Sequence, residues 1–141
     1  MTKWFQEDLR VQTAGREIRD ITPLITELTD RSGIVTGLSN IFIAHTSASL
    51  MVTENADPAV HHDLERFMRR IAPDGDTLYT HTDEGPDDMS AHVRSVLTEP
   101  SLNVPVVKGR LALGTWQGVY LWEHRVHPHI RHIVVTIWGE Q

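Results

Sequence analysis

The sequence LNVPVVKGRLALGTWQGVYLWEHRVHPHIRHIVVTIW, residues 102–138, decides the predicted fold. It contains four runs that are rich in β-branched and aromatic residues and are separated by short turns: residues 102–107, 110–113, 119–124 and 129–138. Strands that are joined by such short turns pair in antiparallel fashion. Pro105 cannot donate to a neighbouring strand, which favours an edge position for the first run. The segment therefore predicts a largely antiparallel sheet.

The N-terminal region is predicted to add further strands and one helix. Alternating or β-rich runs predict three strands, at residues 4–13, 38–44 and 49–53. Thr22 followed by Pro23 is typical of a helix start, with the threonine as the cap, and Gly33 is typical of a helix end. Apolar residues between these positions keep helical spacing, so we expect a short helix that packs on the sheet.

Two more helices are predicted between the early and the late strands. Asp57 and Pro58 form a cap and a first turn, and the apolar residues that follow recur on one helix face as far as Ile71. The charged residues on the other faces of this helix are expected to lie in solvent. A third helix is predicted to begin at Pro86, where a missing N–H costs nothing, and to stop near Pro100.

The whole chain, residues 1–141, is expected to be a single α+β domain with a largely antiparallel sheet packed with about three helices. Its 13 Lys and Arg against 19 Asp and Glu give a formal charge of -6, which argues against nucleic acid as the main partner. No apolar run approaches the roughly 20 residues of a membrane span and the N-terminus does not resemble a signal peptide, so we expect a soluble cytoplasmic protein with no membrane partner. Without cysteine, any metal site must use histidine, carboxylate and water.

Residues 81–92, HTDEGPDDMSAH, hold two imidazoles and four carboxylates. Asp87 and Asp88 are predicted to lie in the first turn of the third helix, where they complement the positive end of the helix dipole. Asp88 lies four residues before His92, so the two side chains share one helix face and can couple. A carboxylate in this position fixes the tautomer of an imidazole, as it does for metal-bound histidine. The alternative is an acidic helix start followed by a surface histidine.

Four of the nine histidines stand beside predicted strand ends or turns: His45, His81, His92 and His124. Metal sites are commonly assembled in this way, from ligands that are remote in sequence and that the fold brings together. Histidine is also often merely hydrogen-bonded in proteins, and the periodicity of the sequence does not choose between the two roles.

Two groups of residues could bind an anion. Thr46, Ser47 and Ser49 follow a predicted strand, where hydroxyls and backbone N–H groups could hold an oxyanion or a phosphate. The alternative is a tight polar turn. Arg110 and Arg125 could clamp phosphate oxygens in fork geometry, although either could instead pair with an acidic residue. The common hydrolase and nucleotidase motifs are absent.

Several ordered motifs of the chain resemble those of the YjbQ-like family of small bacterial and archaeal proteins. They are His45-Thr-Ser-Ala-Ser-Leu50, Glu54-Asn-Ala-Asp-Pro58, Glu84-Gly-Pro-Asp-Asp-Met89 with Ala91-His92, Gly109-Arg110, Gly114-Thr-Trp-Gln-Gly118 and Glu123-His-Arg125. The resemblance covers nearly the whole chain. It implies a compact α+β domain, assembly as a homotrimer, metal-binding histidines and a thiamine-phosphate-synthase type of activity.

The resemblance also suggests site residues and a reaction. The motif residues that become catalytic candidates are Glu84, Asp87, Asp88, Arg110, Gln117, Glu123 and Arg125. We expect three of the four motif histidines to bind one divalent ion, with zinc favoured because imidazole suits it and magnesium as the alternative for a diphosphate substrate. The implied reaction joins hydroxymethylpyrimidine diphosphate to thiazole phosphate and releases diphosphate.

Two other functions fit the same residues. One is a non-catalytic binding module for a small anionic metabolite. The other is a metal-dependent hydrolase, in which Glu84 or Asp88 acts as the base toward a metal-bound water. Product analysis separates the three functions, because they yield a coupled product, a hydrolysed product or unchanged substrate.

Overall fold

Eight strands form two antiparallel sheets in the computed structural model, which describes residues 1–141. The strands are β1 Thr2–Gln12, β2 Glu17–Asp20, β3 Thr36–Ile43, β4 Ala48–Glu54, β5 Ser101–Val107, β6 Arg110–Leu111, β7 Gln117–Glu123 and β8 Ile130–Glu140. One sheet has the order β1-β8-β3-β5-β6 and the other has the order β2-β7-β4. All neighbouring strands pair antiparallel, which confirms the predicted α+β fold with antiparallel sheets.

The hydrophobic core draws residues from both sheets and from the first helix, α1 Thr22–Ser32. Along β8, Ile133, Val135 and Ile137 are fully buried, whereas the residues between them are half-buried. Successive side chains of a strand point to opposite faces of the sheet, so one face of the five-stranded sheet covers this core. Burial of such aliphatic side chains stabilises a domain by about 1.5–3 kcal/mol each.

The two remaining helices are α2 Pro58–Ile71 and α3 Asp88–Leu97. The predicted start and end of α2 are confirmed, and Asp57 caps it by accepting a hydrogen bond from the backbone N–H of Ala59 at 2.9 Å. The predicted end of α1 is confirmed as well, because Gly33 adopts a left-handed conformation with φ 69°. No helix of the structure combines the length and the apolar character that a membrane span requires.

Two predicted helix starts are wrong by one or two residues. Ile21, not Thr22, occupies the capping position of α1, and the Thr22 hydroxyl accepts a hydrogen bond from the backbone N–H of Val119 at 2.8 Å instead. Pro86 lies outside α3, which begins at Asp88. A tertiary contact engages the hydroxyl of Thr22, which is the first residue of α1, and Pro86 belongs to the turn before α3.

The strand β2 is an element that the sequence pattern does not predict. Its four residues, EIRD, contain one apolar side chain, so they show neither an apolar run nor an alternation. They form a strand because they pair with β7, from Glu17 opposite Glu123 to Asp20 opposite Tyr120. The predicted run 110–113 is likewise reduced to the two-residue strand β6.

Candidate functional site

His81, Asp88 and His92 converge at the beginning of α3. His81 Nε2 lies 2.7 Å from Asp88 Oδ2, and His92 Nε2 lies 3.4 Å from the same oxygen. One nitrogen from each imidazole and one carboxylate oxygen all lie within 4.8 Å of one another. Asp88 and His92 share a helix face as their spacing predicts, and His81 comes from the loop before α3. Two imidazoles and one carboxylate form a donor set that suits a divalent transition metal.

Asp88 is held in place by Arg125. Its side chain is only 3% exposed, and Oδ1 accepts a hydrogen bond from Arg125 Nη1 at 2.9 Å, which leaves Oδ2 for the two imidazoles. Arg125 Nε donates to Asp87 Oδ2 at 2.9 Å. Burial alone would raise the pKa of Asp87, but hydrogen bonds from Arg125 and from the backbone N–H of Val126 lower it below its usual value. The ionised form of Asp87 is therefore favoured beside the guanidinium of Arg125.

The predicted phosphate clamp of Arg110 and Arg125 is not formed. The guanidinium of Arg125 is committed to Asp87, Asp88 and the backbone carbonyl of Glu84, to which Nη2 donates at 3.1 Å. Arg110 is exposed on the edge strand β6 and has no ion pair with the cluster. Arg125 is thus a positioning residue for Asp88, because its fork already binds carboxylates.

His124 is not placed with the other predicted metal ligands. It is fully buried at the end of β7, and its Nε2 lies 2.9 Å from the hydroxyl oxygen of Ser49. Burial is the main reason that its pKa falls to about 3, and the positive charge of Arg94 lowers it further. His124 is therefore a neutral core residue, and Ser49, a predicted phosphate-binding residue, is its hydrogen-bond partner.

His45 is engaged on both sides of its ring. Its Nε2 accepts a hydrogen bond from the backbone N–H of His132 at 2.8 Å, and its Nδ1 lies 3.3 Å from Nη1 of Arg131. Burial and then the charge of Arg131 lower the pKa of His45, which keeps the ring neutral. Of the four predicted histidines, the fold therefore brings His81 and His92 together, and the third member of their cluster is Asp88.

Of the three hydroxyl residues predicted to bind an oxyanion, Ser47 and Ser49 are buried and Thr46 is exposed. Ser47 is buried, and both its hydroxyl and its carbonyl oxygen accept hydrogen bonds from Arg131 Nη2, at 2.9 and 3.1 Å. Arg131 also donates hydrogen bonds to both carboxylate oxygens of Glu123, which is fully buried. Ser47 and Glu123 are thus both bound to Arg131 inside the protein. Thr46 is exposed and lines a hollow together with His92, so it remains available to a ligand.

Gln117 and Glu84 also differ from their predicted roles. The Gln117 side chain accepts a hydrogen bond from the backbone N–H of Gly114 at 2.8 Å, which closes the turn before β7. Gln117 and Glu123 lie at opposite ends of this strand. The Glu84 carboxylate is exposed and reaches Arg125 Nη1 only at 3.9 Å. Gln117 is therefore a turn residue, whereas Glu84 lies at the rim of the cluster.

A cleft beside His81 was not anticipated from the sequence. It has a volume of about 360 Å³ and is formed by the loop between α2 and α3 together with Met89 of α3. Its side-chain lining includes Tyr79, Pro86 and Met89, which offer an aromatic ring, a pyrrolidine ring and a thioether. Only their proximity to His81 in the sequence could have pointed to them.

The chain is similar in sequence to proteins of one family over nearly its full length. Residues 7–140 match the family model described as UPF0047 protein YjbQ-like. The chain is 48% identical to the UPF0047 protein sll1880 of Synechocystis, over 96% of this chain and 92% of that protein. It is 43% identical to the UPF0047 protein YjbQ of Escherichia coli O157:H7, over 97% and 99% of the two chains.

Solved structures of similar proteins have the same fold. A YbjQ-like protein of unknown function from Sulfolobus solfataricus superposes with a TM-score of 0.90, at 29% identity, over 99% of this chain and 100% of that chain. A conserved hypothetical protein from Thermus thermophilus superposes with a TM-score of 0.82, at 35% identity, over 92% and 97%. The shared fold therefore spans nearly all of this chain and of the two chains compared with it.

Proposed function

The chain belongs to the UPF0047 YjbQ-like family, as its motifs predicted, and we propose that it is a small metal-dependent enzyme that acts on a phosphorylated substrate. The observation that carries the proposal is the convergence of His81, Asp88 and His92. The activity we propose is of the thiamine-phosphate-synthase type, in which a pyrimidine diphosphate is joined to a thiazole phosphate with release of diphosphate.

The three side chains fit a divalent ion in their chemistry and in their exposure. Asp88 is buried and fixed by Arg125, whereas the His81 side chain is 50% exposed and leaves one side of the cluster open. Imidazole ligands favour zinc over magnesium, which prefers oxygen. When bound there, such an ion supplies positive charge that stabilises a departing diphosphate.

The residues around the cluster can position the organic part of a substrate. The cleft beside His81 is large enough for a small heterocycle, and Tyr79 and Met89 offer surfaces for a planar ring. Thr46, which lines a hollow together with His92, is the predicted hydroxyl that stays free for a phosphate oxygen. A displacement of diphosphate needs little covalent help from the protein, because positioning and charge neutralisation lower the barrier.

The test is product formation from the pyrimidine diphosphate and the thiazole phosphate by purified protein that is loaded with zinc or magnesium. We expect Asp88→Asn and His92→Gln to lose bound metal, measured by elemental analysis, and to lose turnover by about 100-fold or more. Asp63→Asn, on the exposed face of α2, is the matched control for loss of a carboxylate. Hydrolysed diphosphate without coupled product would assign a hydrolase, and unchanged substrate with every metal would assign a binding module.

We also propose that the chain forms a homotrimer and works in the cytoplasm, where reducing conditions suit a chain without cysteine. Large apolar side chains that the single chain leaves uncovered support the assembly. Trp4 is 67% exposed and Val96 is 84% exposed. Light scattering should give three times the chain mass of 16.0 kDa. A stable particle of 16.0 kDa at micromolar concentration would contradict the trimer.

A further inference from the structure

Arg94 of α3 is fully buried, and only one of its three guanidinium nitrogens has a partner. Nη1 donates to Glu65 Oε2 at 2.6 Å, whereas Nε and Nη2 have no hydrogen-bond partner. A guanidinium remains charged in proteins, so its unpartnered N–H groups cannot be relieved by loss of a proton. Buried donors of this kind are nearly always satisfied, which makes this pair an exception that calls for an acceptor.

The two unpartnered nitrogens share one edge of the Arg94 guanidinium. This edge binds two oxygens of a carboxylate or a phosphate in fork geometry. Other arginines of the chain use it in this way: Arg131 donates from Nε and Nη2 to the two oxygens of Glu123, and Arg19 does the same with Glu17. Arg94 thus presents a fork without the oxygens that the other forks bind.

Arg94 lines a cleft of about 410 Å³, and the residues that complete its lining are Arg16, Arg69, Pro73, Asp74 and Val126. Each of the three guanidinium nitrogens of Arg16 already has a partner, because Nη1 and Nη2 bind the two oxygens of Asp74 and Nε binds the backbone carbonyl of His124. Arg69 is different, since its side chain is 67% exposed and lies 4.0 Å from Glu65, its nearest acid. Of these three arginines, Arg94 and Arg69 therefore have guanidinium nitrogens without a hydrogen-bond partner.

We propose that this cleft binds a small oxyanion of the phosphate class, held by the fork of Arg94 at its base and by Arg69 at its rim. The site is separate from the metal cluster. His92 and Arg94 are two residues apart on α3, which places them about 200° apart around the helix axis. The competing explanation is an internal water that joins Arg94 to Nδ1 of His124, which is also unpartnered.

The experiment is calorimetric titration of inorganic phosphate into chelator-treated wild-type protein at low ionic strength. Saturable binding is expected, and Arg94→Lys, which keeps one charge for Glu65 and loses the fork, should weaken it by about ten- to a hundredfold. Arg69→Gln should weaken it as well. Arg66→Gln, an exposed arginine on the same helix, is the matched control and should bind phosphate as the wild type does.

Acetate is titrated in parallel to separate the two classes of anion, and tighter binding of acetate than of phosphate would overturn the phosphate assignment. Absence of saturable binding, or equal phosphate affinity in wild type and Arg94→Lys, would leave internal water as the explanation and end the proposal. If circular dichroism shows that Arg94→Lys does not fold, the test rests on the phosphate affinity of Arg69→Gln, in which an exposed residue is replaced. An affinity equal to that of the wild type would then overturn the proposed site. Because a chelator is present, the result does not depend on whether the metal-dependent activity is found.

Discussion

Replacement of His124 by glutamine should remove a large part of the pH dependence of stability. The pKa of His124 falls from 6.5 to about 3 in the folded protein, chiefly through burial and then through Arg94. Between these two pKa values the unfolded chain binds a proton at His124 and the folded chain does not. The free energy of unfolding is therefore unaffected by this group above pH 6.5, and it decreases as the pH falls from 6.5 toward 3. At pH 5 the loss is about 2 kcal/mol, since each pH unit below 6.5 costs about 1.4 kcal/mol.

The assay is urea unfolding of chelator-treated protein at pH 8 and pH 5. Glutamine can still bond to Ser49 but does not titrate, so His124→Gln should lose about 2 kcal/mol less than the wild type between the two conditions. His45 also has a lowered pKa, but it is present in both proteins and its effect cancels. His62→Gln, an exposed histidine on α2, controls for the loss of an imidazole. An equal pH dependence in wild type and His124→Gln would refute the burial argument.

Three further changes test other contacts. Arg125→Lys loses the fork that orients Asp88 and should weaken zinc affinity by about 10- to 100-fold in a competition titration with a chromogenic chelator; unchanged affinity would contradict the positioning role. Glu65→Gln leaves the buried charge of Arg94 without its charged partner and should lower the free energy of unfolding by about 3 kcal/mol or more. A loss under about 1 kcal/mol would contradict the importance of this ion pair. Asp57→Ala removes the cap of α2 and should cost about 1 kcal/mol in the same urea assay.

Local patterns in the sequence predict the parts of the fold that local forces determine. The start of α2 follows from Asp57 and Pro58, whose capping geometry needs no distant partner. The approach of Asp88 to His92 follows from a spacing of four residues on a helix. These two predictions succeed because the local geometry of a helix, its cap in the first case and its pitch in the second, places the groups.

The predictions that fail depend on contacts between remote segments. Arg125 is 37 residues from Asp88 in sequence, and nothing local indicates that its guanidinium meets that carboxylate and not a phosphate. His124 lies beside Arg125 in a motif, yet one is buried in the core and the other faces the cluster. Both residues follow the end of β7, where the chain leaves the sheet and no strand or helix pattern fixes the direction of their side chains. Neighbours in a motif therefore need not share a site.

The motif Glu123-His-Arg125 links the core to the cluster of His81, Asp88 and His92 through a continuous set of contacts. Arg131 grips Glu123, whose Oε2 accepts a hydrogen bond from the backbone N–H of Arg125 at 3.1 Å, and Arg125 binds Asp88. Buried ion pairs of this kind add little to stability, because desolvation offsets the attraction, but they fix orientation when every partner is present. Glu123 therefore acts on the cluster indirectly, because it binds the backbone of Arg125 and the side chain of Arg125 binds Asp88. A loss of activity in a Glu123 variant would follow from displacement of Asp88, and only a parallel loss of metal affinity would distinguish that cause from direct catalysis.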